Sequence, residues 1–323
     1  PHAARDLFTA GADYLLCGEP YWNWQEIEQA LTGESPTIPS NVIARESPAS
    51  HSVRRKFEKT PVFPIPAWDL FPCEGYWRLP YSHGPKTKTF LPILTSRGCP
   101  FPCDFCVVPE TNTVRWRGRA AAEVVEEIIT LKDRFGVTDF QIEDLNPTVK
   151  SSRMDEIARL LIARNAGIRF YIVSGTKAET VPLSSVDLWA KAGCRYISIS
   201  PESGSSAVMK AIGKPFDYDH GRRLVETCRQ HSIYTQACFI VGHPAETEDD
   251  FESSVHYLRE LVRSGLDEMA VFIVSPFAGS KLYRDNKIEL GLSSSLISFS
   301  PKGRTNYSEL SRRRRRMILV FFQ

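Results

Sequence analysis

The chain has 323 residues, 42% of them hydrophobic and 24% charged, which suits a globular protein with one large domain and an appendage. A net charge of +2 gives no whole-chain reason to expect nucleic acid or a membrane as partner. The apolar runs fall far short of the roughly 20 residues that a membrane-spanning helix needs.

Residues 1–32 read as helix, strand, helix: Ala3–Ala10, Asp13–Leu16 and Trp24–Leu31, a pattern that could end a doubly wound domain. Trp22 and Trp24 are expected to be packing residues. Residues 33–89 carry Pro36, Pro39, Pro48, Pro61, Pro64, Pro66, Pro72, Pro80 and Pro85, and so read as an extended linker. Its aromatics, among them Trp68, Phe71 and Trp77, should pack it over its neighbours.

From residue 90 the pattern changes, and short apolar runs alternate with amphipathic helices. The predicted strands are Phe90–Ser96, Asp139–Leu145, Arg169–Ser174, Tyr196–Ser200, Tyr234–Val241 and Met269–Ser275. Between them the spacing predicts helices over Ala121–Arg134, Arg153–Asn165, Ser184–Ala192, Tyr218–His231 and Glu248–Ser264. Asp217 and Thr247 are expected N-caps, and Gly136, Gly167, Gly193 and Gly265 fall where helices should stop. Alternation of this kind means parallel strands with helical crossovers. Six βα units over residues 90–283 are too few for an eight-unit barrel, which needs about 250 residues. Residues 284–323 form an expected helical extension, in which Arg312–Arg316 reads as the solvated face of an amphipathic helix. The chain opens at Pro1 and stops within the apolar run Val320-Phe-Phe-Gln323, so both ends are expected to be cut from something longer.

Of the eight cysteines, three lie together in Thr95-Ser-Arg-Gly-Cys-Pro-Phe-Pro-Cys-Asp-Phe-Cys106. Cys99, Cys103 and Cys106 offer three soft thiolates from one loop, a choice of ligand that selects an iron–sulfur cluster, zinc or copper(I). Structural zinc usually takes four protein ligands from paired units, and only one C-x2-C pair exists here. Three ligands suit a four-iron cluster with one iron left open. The alternative is a non-catalytic protein with a structural metal at the triad. Cys17, Cys73, Cys194, Cys228 and Cys238 are scattered and expected to be buried free thiols, which fits a reducing, cytoplasmic setting. His83, His220, His231 and His256 show no metal-ligand spacing.

The triad, with Phe105 just before its last cysteine, resembles the cluster loop of radical S-adenosylmethionine (SAM) enzymes. Further segments resemble that superfamily in order and position. Gln141-Ile-Glu-Asp-Leu-Asn146 stands where the family holds the SAM amino group, with Glu143 and Asp144 as candidates. Ser200-Pro-Glu-Ser-Gly204 matches a Glu-Ser-Gly motif that meets the SAM carboxylate and ribose, through Glu202 and Ser203. Ala237-Cys-Phe-Ile-Val-Gly-His-Pro-Ala-Glu246 is similar to the family's fifth strand, where Ile240 and Gly242 pack beside adenine. Ser275-Pro-Phe-Ala-Gly-Ser280 resembles a Pro-x-x-Gly-Thr turn after the sixth.

The resemblance implies an α/β fold: a partial (β/α)6, TIM-like barrel preceded by a remnant of a doubly wound cobalamin-binding domain. Pro1-His2 and the Gly18-Glu19 pair look like that domain's last strands. It further implies a [4Fe–4S] cluster on the three cysteines, bound SAM, and cleavage of SAM to a 5′-deoxyadenosyl radical. In the cobalamin subfamily the expected outcome is methyl transfer to an unactivated carbon of a small molecule; the alternative is oxidative cyclisation of the porphyrin type. A flavodoxin or ferredoxin is the implied electron donor, with no nucleic acid or membrane partner. Cobalamin is expected in the longer parent rather than tightly held by this chain.

Overall fold

The structure is a computed structural model that describes residues 4–17, 23–45, 65–80, 83–111, 114–277, 279–285 and 306–323. Helix α1 (Ala4–Thr9), strand β1 (Tyr14–Leu16) and helix α2 (Trp24–Leu31) open it as the sequence predicts. The partner of β1 was not predicted: β2 (Val42–Ala44) comes from the proline-rich segment and pairs antiparallel to it. Asn23 and Asn41 pin this ribbon by reciprocal amide bonds of 2.8 and 3.0 Å. Three residues are too few for alternation to show. Pro1, His2, Gly18, Glu19 and Trp22 lie outside the described residues, and Trp24 is exposed rather than packed.

The described part of the linker is not simply extended. A 3-10 turn at Trp68–Leu70 and helix α3 (Cys73–Trp77) lay Trp68, Cys73 and Trp77 against the core, and Trp77 Nε1 donates to Phe90 O at 2.7 Å.

Then comes β3 (Leu91–Ile93), followed by β4 (Ser96–Arg97), helix α4 (Val108–Thr111), β5 (Arg117–Gly118) and helix α5 (Ala121–Phe135). The single strand expected over Phe90–Ser96 is thus broken in two. Thr95 is pulled out of the ladder because its N–H and Oγ1 both donate to Asp144 at 2.6 Å. Ser96 and Arg97 turn instead to an antiparallel ladder with β5.

The remainder alternates: β6 (Asp139–Ile142), α6 (Ser151–Ala163), β7 (Arg169–Thr176), α7 (Val186–Lys191), β8 (Cys194–Glu202), α8 (Ser206–Ile212) and α9 (Tyr218–Gln230). Strand β9 (Tyr234–Val241), α10 (Glu248–Ser264), β10 (Glu268–Ile273), α11 (Lys281–Asp285) and α12 (Tyr307–Phe321) complete it. Strands β3, β6, β7, β8, β9 and β10 form one six-stranded sheet, every neighbour pair parallel and in chain order. That is the expected partial (β/α)6 barrel.

Its outer face packs on the helices through Phe140, Ile172, Ile197 and Phe239, all fully buried, against Leu131, Ile157, Trp189 and Leu258. Fully burying such side chains gives each about 1.5–3 kcal/mol. Caps set the helix ends: Asp217 accepts from His220 N, and Thr247 with Asp250 forms a capping box on α10. The arginine run is not one solvated face. On α12, Leu310, Met317 and Val320 are buried, while Arg313 pairs with Glu246, Glu248 and Glu309, and Arg316 with Glu252. No described helix is long and apolar enough to cross a membrane.

Candidate functional site

The cysteine loop leaves β4 at the carboxyl end of the sheet's first strand, where open α/β sheets and barrels place their chemistry. Cys99, Cys103 and Cys106 are all partly exposed and line one cleft of about 140 Å³ with Phe101, Phe105, Asn146, Gly175, Lys177, Glu202 and Lys214. The loop is fastened on several sides. Cys106 N donates to Cys103 O at 3.1 Å, and Val108 N donates to the Cys106 sulfur at 3.4 Å. Phe105 and Cys103 pack against the cluster of Val208, Met209, Ile212, Ile240, Val274 and Leu282, which brings the candidates Phe105 and Ile240 into one apolar group.

Three fastenings, all at Asp104, were not legible in the sequence. Asp104 donates its N–H to Ile212 O and accepts at its carbonyl from Leu282 N. Its carboxylate Oδ2 lies 2.9 Å from Nε2 of His243, a buried residue in the Gly-His-Pro segment after β9. That segment was legible as a motif, but nothing in the sequence pairs it with the triad.

Burial pushes the Cys103 thiol up to about 12; Lys214 pulls against this, while Glu202 and the other two thiols add to it. The Cys99 and Cys106 thiols are raised too, again chiefly by burial. A metal centre must therefore displace protons from these sulfurs as it binds. Three soft thiols from one loop that line a single cleft are a donor set that suits a four-iron cluster, which takes one thiolate on each of three irons.

Glu202 ends β8 in the left-handed region, with φ of +59°. Strain of that kind at a non-glycine residue persists where the surroundings hold it and clusters at functional sites. Here the hold is Lys214: its Nζ lies 2.7 Å from Glu202 Oε1 and 2.8 Å from Ser200 O, with both side chains buried. Burial works against the Lys214 ammonium, yet Glu202 and the nearby thiols keep its pKa above the ordinary value. Lys214 was not singled out from sequence, since a lone lysine after a short helix carries no pattern. Also in the lining, Asn146 Oδ1 accepts from Thr176 Oγ1 at 2.6 Å and Thr148 Oγ1 at 3.0 Å, and Lys177 pairs with Glu179 at 2.8 Å.

The remaining sequence candidates lie elsewhere. Asp144 is fully buried, and its carboxylate is taken up by Thr95 N, Thr95 Oγ1 and Ser96 Oγ. It is a clasp between β6 and the break in the first strand, not a lining residue of the cleft. Burial raises its pKa, while those hydrogen bonds lower it. Glu143 lines a separate cavity of about 350 Å³ with Trp68, Ile93 and Arg97, and accepts from or donates to His83 Nδ1 at 2.7 Å. Ser203 is fully buried, bonded to Ser254 Oγ at 3.0 Å and Ser205 N at 3.1 Å. Gly242, with φ of +84°, donates its N–H to Glu246 at 2.8 Å. Of the five scattered cysteines only Cys194 and Cys228 are fully buried; Cys17, Cys73 and Cys238 are half-buried, and all are free thiols.

A partial parallel barrel with a three-cysteine loop, here beside a buried Glu–Lys pair, is the arrangement that the resemblance to radical SAM enzymes implies. The Radical SAM superfamily pattern matches residues 93–258, just over half of the chain, and the chain belongs to that superfamily. It is 28% identical over 234 residues to the cytidylyl-2-hydroxyethylphosphonate methyltransferase of Streptomyces wedmorensis, covering 69% of this chain and 42% of that protein. It is 27% identical over 218 residues to the anaerobic magnesium-protoporphyrin IX monomethyl ester cyclase of Synechocystis sp., covering 67% of this chain and 41% of that one. The chain thus spans about two-fifths of the length of these relatives. Its fold is shared with the radical SAM methyltransferase TsrM from Kitasatospora setae, a structure with cobalamin and a [4Fe–4S] cluster bound: TM-score 0.66 at 20% identity, over 87% of this chain and 56% of that one.

Proposed function

We propose that this chain is the catalytic barrel of a radical SAM enzyme, and that the protein it represents transfers a methyl group to an unactivated carbon of a small molecule with the help of cobalamin. The observation that carries the reading is the cleft itself, where three thiols from one loop face the buried Glu202–Lys214 pair. Cys99, Cys103 and Cys106 would hold a [4Fe–4S] cluster. When bound, that cluster supplies the electron that cleaves the sulfonium–C5′ bond of SAM, leaving methionine and a 5′-deoxyadenosyl radical able to abstract hydrogen from substrate.

The residues of the chain bind and orient. At the SAM carboxylate and ribose, Lys214 offers an ammonium to the carboxylate and Glu202 a carboxylate that accepts from ribose hydroxyls, each already desolvated and held in place. Phe105 and Ile240 supply the apolar wall for adenine, while Gly242 keeps the following turn tight. Asp144 and Ser203 support the loops from behind. Glu143 holds the linker through His83.

Domain limits of 1–32, 33–89, 90–283 and 284–323 remain our division of the chain. Methyl transfer is favoured by the phosphonate methyltransferase relative. The cyclase relative supports a second reading, in which the same radical initiates oxidative ring closure. A flavodoxin or ferredoxin is the proposed electron donor.

The test is anaerobic reconstitution with iron and sulfide, followed by reduction in the presence of SAM. We expect about four irons per chain and formation of 5′-deoxyadenosine. One zinc per chain, with SAM left intact, would favour the structural-metal alternative. Methylated product from the full-length protein distinguishes transfer from cyclisation.

A further inference from the structure

We propose that His243 is a positioning residue for the cysteine loop, acting through Asp104, and that the C-terminal helix braces it there. The inference rests on the reading of Cys99, Cys103 and Cys106 as cluster ligands. Ala245 N donates to His243 Nδ1 at 3.2 Å, which leaves the proton of a neutral ring on Nε2. Nε2–H therefore donates to Asp104 Oδ2 at 2.9 Å, and the histidine side chain is only 5% exposed. Asp104 sits between Cys103 and Phe105, so a donor fixed on β9's turn holds the middle of a loop whose sulfurs must stay in register. A charge-assisted bond in a desolvated place is the strong kind.

The turn that carries His243 is itself held. His243 O accepts from Glu246 N at 2.8 Å. The Glu246 carboxylate, almost wholly buried, accepts from Gly242 N at 2.8 Å and from Arg313 of α12 at 3.1 Å. A continuous series of bonds therefore runs from α12 through Glu246 and His243 to Asp104. Such supports behind metal ligands typically change affinity by about 10–100-fold when removed.

The test compares His243→Leu, which keeps the bulk and removes the donor, with His243→Gln, whose amide nitrogen can reach the same carboxylate. In metal-free protein, hydrogen exchange at the amides of Asp104 and Leu282 should quicken about tenfold in His243→Leu and return toward wild type in His243→Gln. After reconstitution, a chelator should strip iron from His243→Leu about tenfold faster, with an altered EPR signal of the reduced cluster. Should His243→Leu fail to fold, Asp104→Ala breaks the same bond from the loop side, and the same exchange and chelation shifts are expected. Unchanged exchange in a folded variant, or His243→Gln behaving like His243→Leu, overturns the inference. If wild-type chain takes up no iron–sulfur cluster, the functional reading fails, while the exchange measurement still judges His243.

Discussion

Lys214 Nζ lies 2.7 Å from Glu202 Oε1, and the two buried side chains meet at the wall of the cleft that the three cysteines line. A buried pair adds little net stability, because desolvating two charges offsets their attraction. Removing one partner is different, since it strands the other.

Lys214→Met is accordingly expected to destabilise the chain by about 3–5 kcal/mol and to weaken SAM binding at least tenfold. Glu202→Gln with Lys214→Met should recover much of the stability but not the affinity. Denaturation and SAM titration measure both. Wild-type SAM affinity in the double variant would remove the pair from the SAM site.

Alanine at Cys99, Cys103 or Cys106 should abolish the cluster and 5′-deoxyadenosine formation, because three thiolates leave one of four irons open and losing any of them leaves a second iron unheld. Normal iron content with normal SAM cleavage in any one of these variants would refute the ligand assignment.

Gly204 explains part of the Glu-Ser-Gly motif by packing. A Cβ there would lie 2.2 Å from Ser253 O, a backbone atom of α10 that cannot step aside. Gly204→Ala should therefore cost about 1–3 kcal/mol or more by forcing β8's end away from α10. A variant as stable as wild type would show that the two elements can part freely.

His83 has its pKa raised above the usual range, first by its hydrogen bond to Glu143, against a lowering from burial. A histidine raised in the folded state contributes stability that is fully present below about pH 6.5 and lost as pH rises through the folded value. The pair is more than half exposed on the histidine side, so the effect is local. Protease sensitivity of residues 83–90 should rise with pH over that range in wild type and be flat in Glu143→Gln. A pH-dependent rise that persists in Glu143→Gln would rule out the pair as its source.

The 323-residue chain is expected to cleave SAM without retaining cobalamin through gel filtration. Among its described residues before the barrel, β1 and β2 form only a two-stranded antiparallel ribbon, too small for the crevice in which doubly wound domains bind ligands. Stoichiometric cobalamin after desalting would contradict this.

The sequence by itself determined the periodic and the local. Alternating strands and helices from residue 90 follow from apolar spacing, and helix ends from Asp217, Thr247, Gly136 and Gly265, because caps and hydrophobic faces are set within a few residues. The triad was readable for the same reason, its ligands lying in one loop. Tertiary structure decided the contacts between residues far apart in the chain. Nothing local says that Asp144 would be consumed by Thr95 and Ser96 and split the first strand, or that β1 would pair with a strand from the proline-rich segment. Nor does it say that Lys214 would turn back onto Glu202, or that His243 would reach Asp104, 139 residues away. Partnership in a desolvated interior depends on which groups the fold brings together, and burial then decides whether each charge is left costly or satisfied.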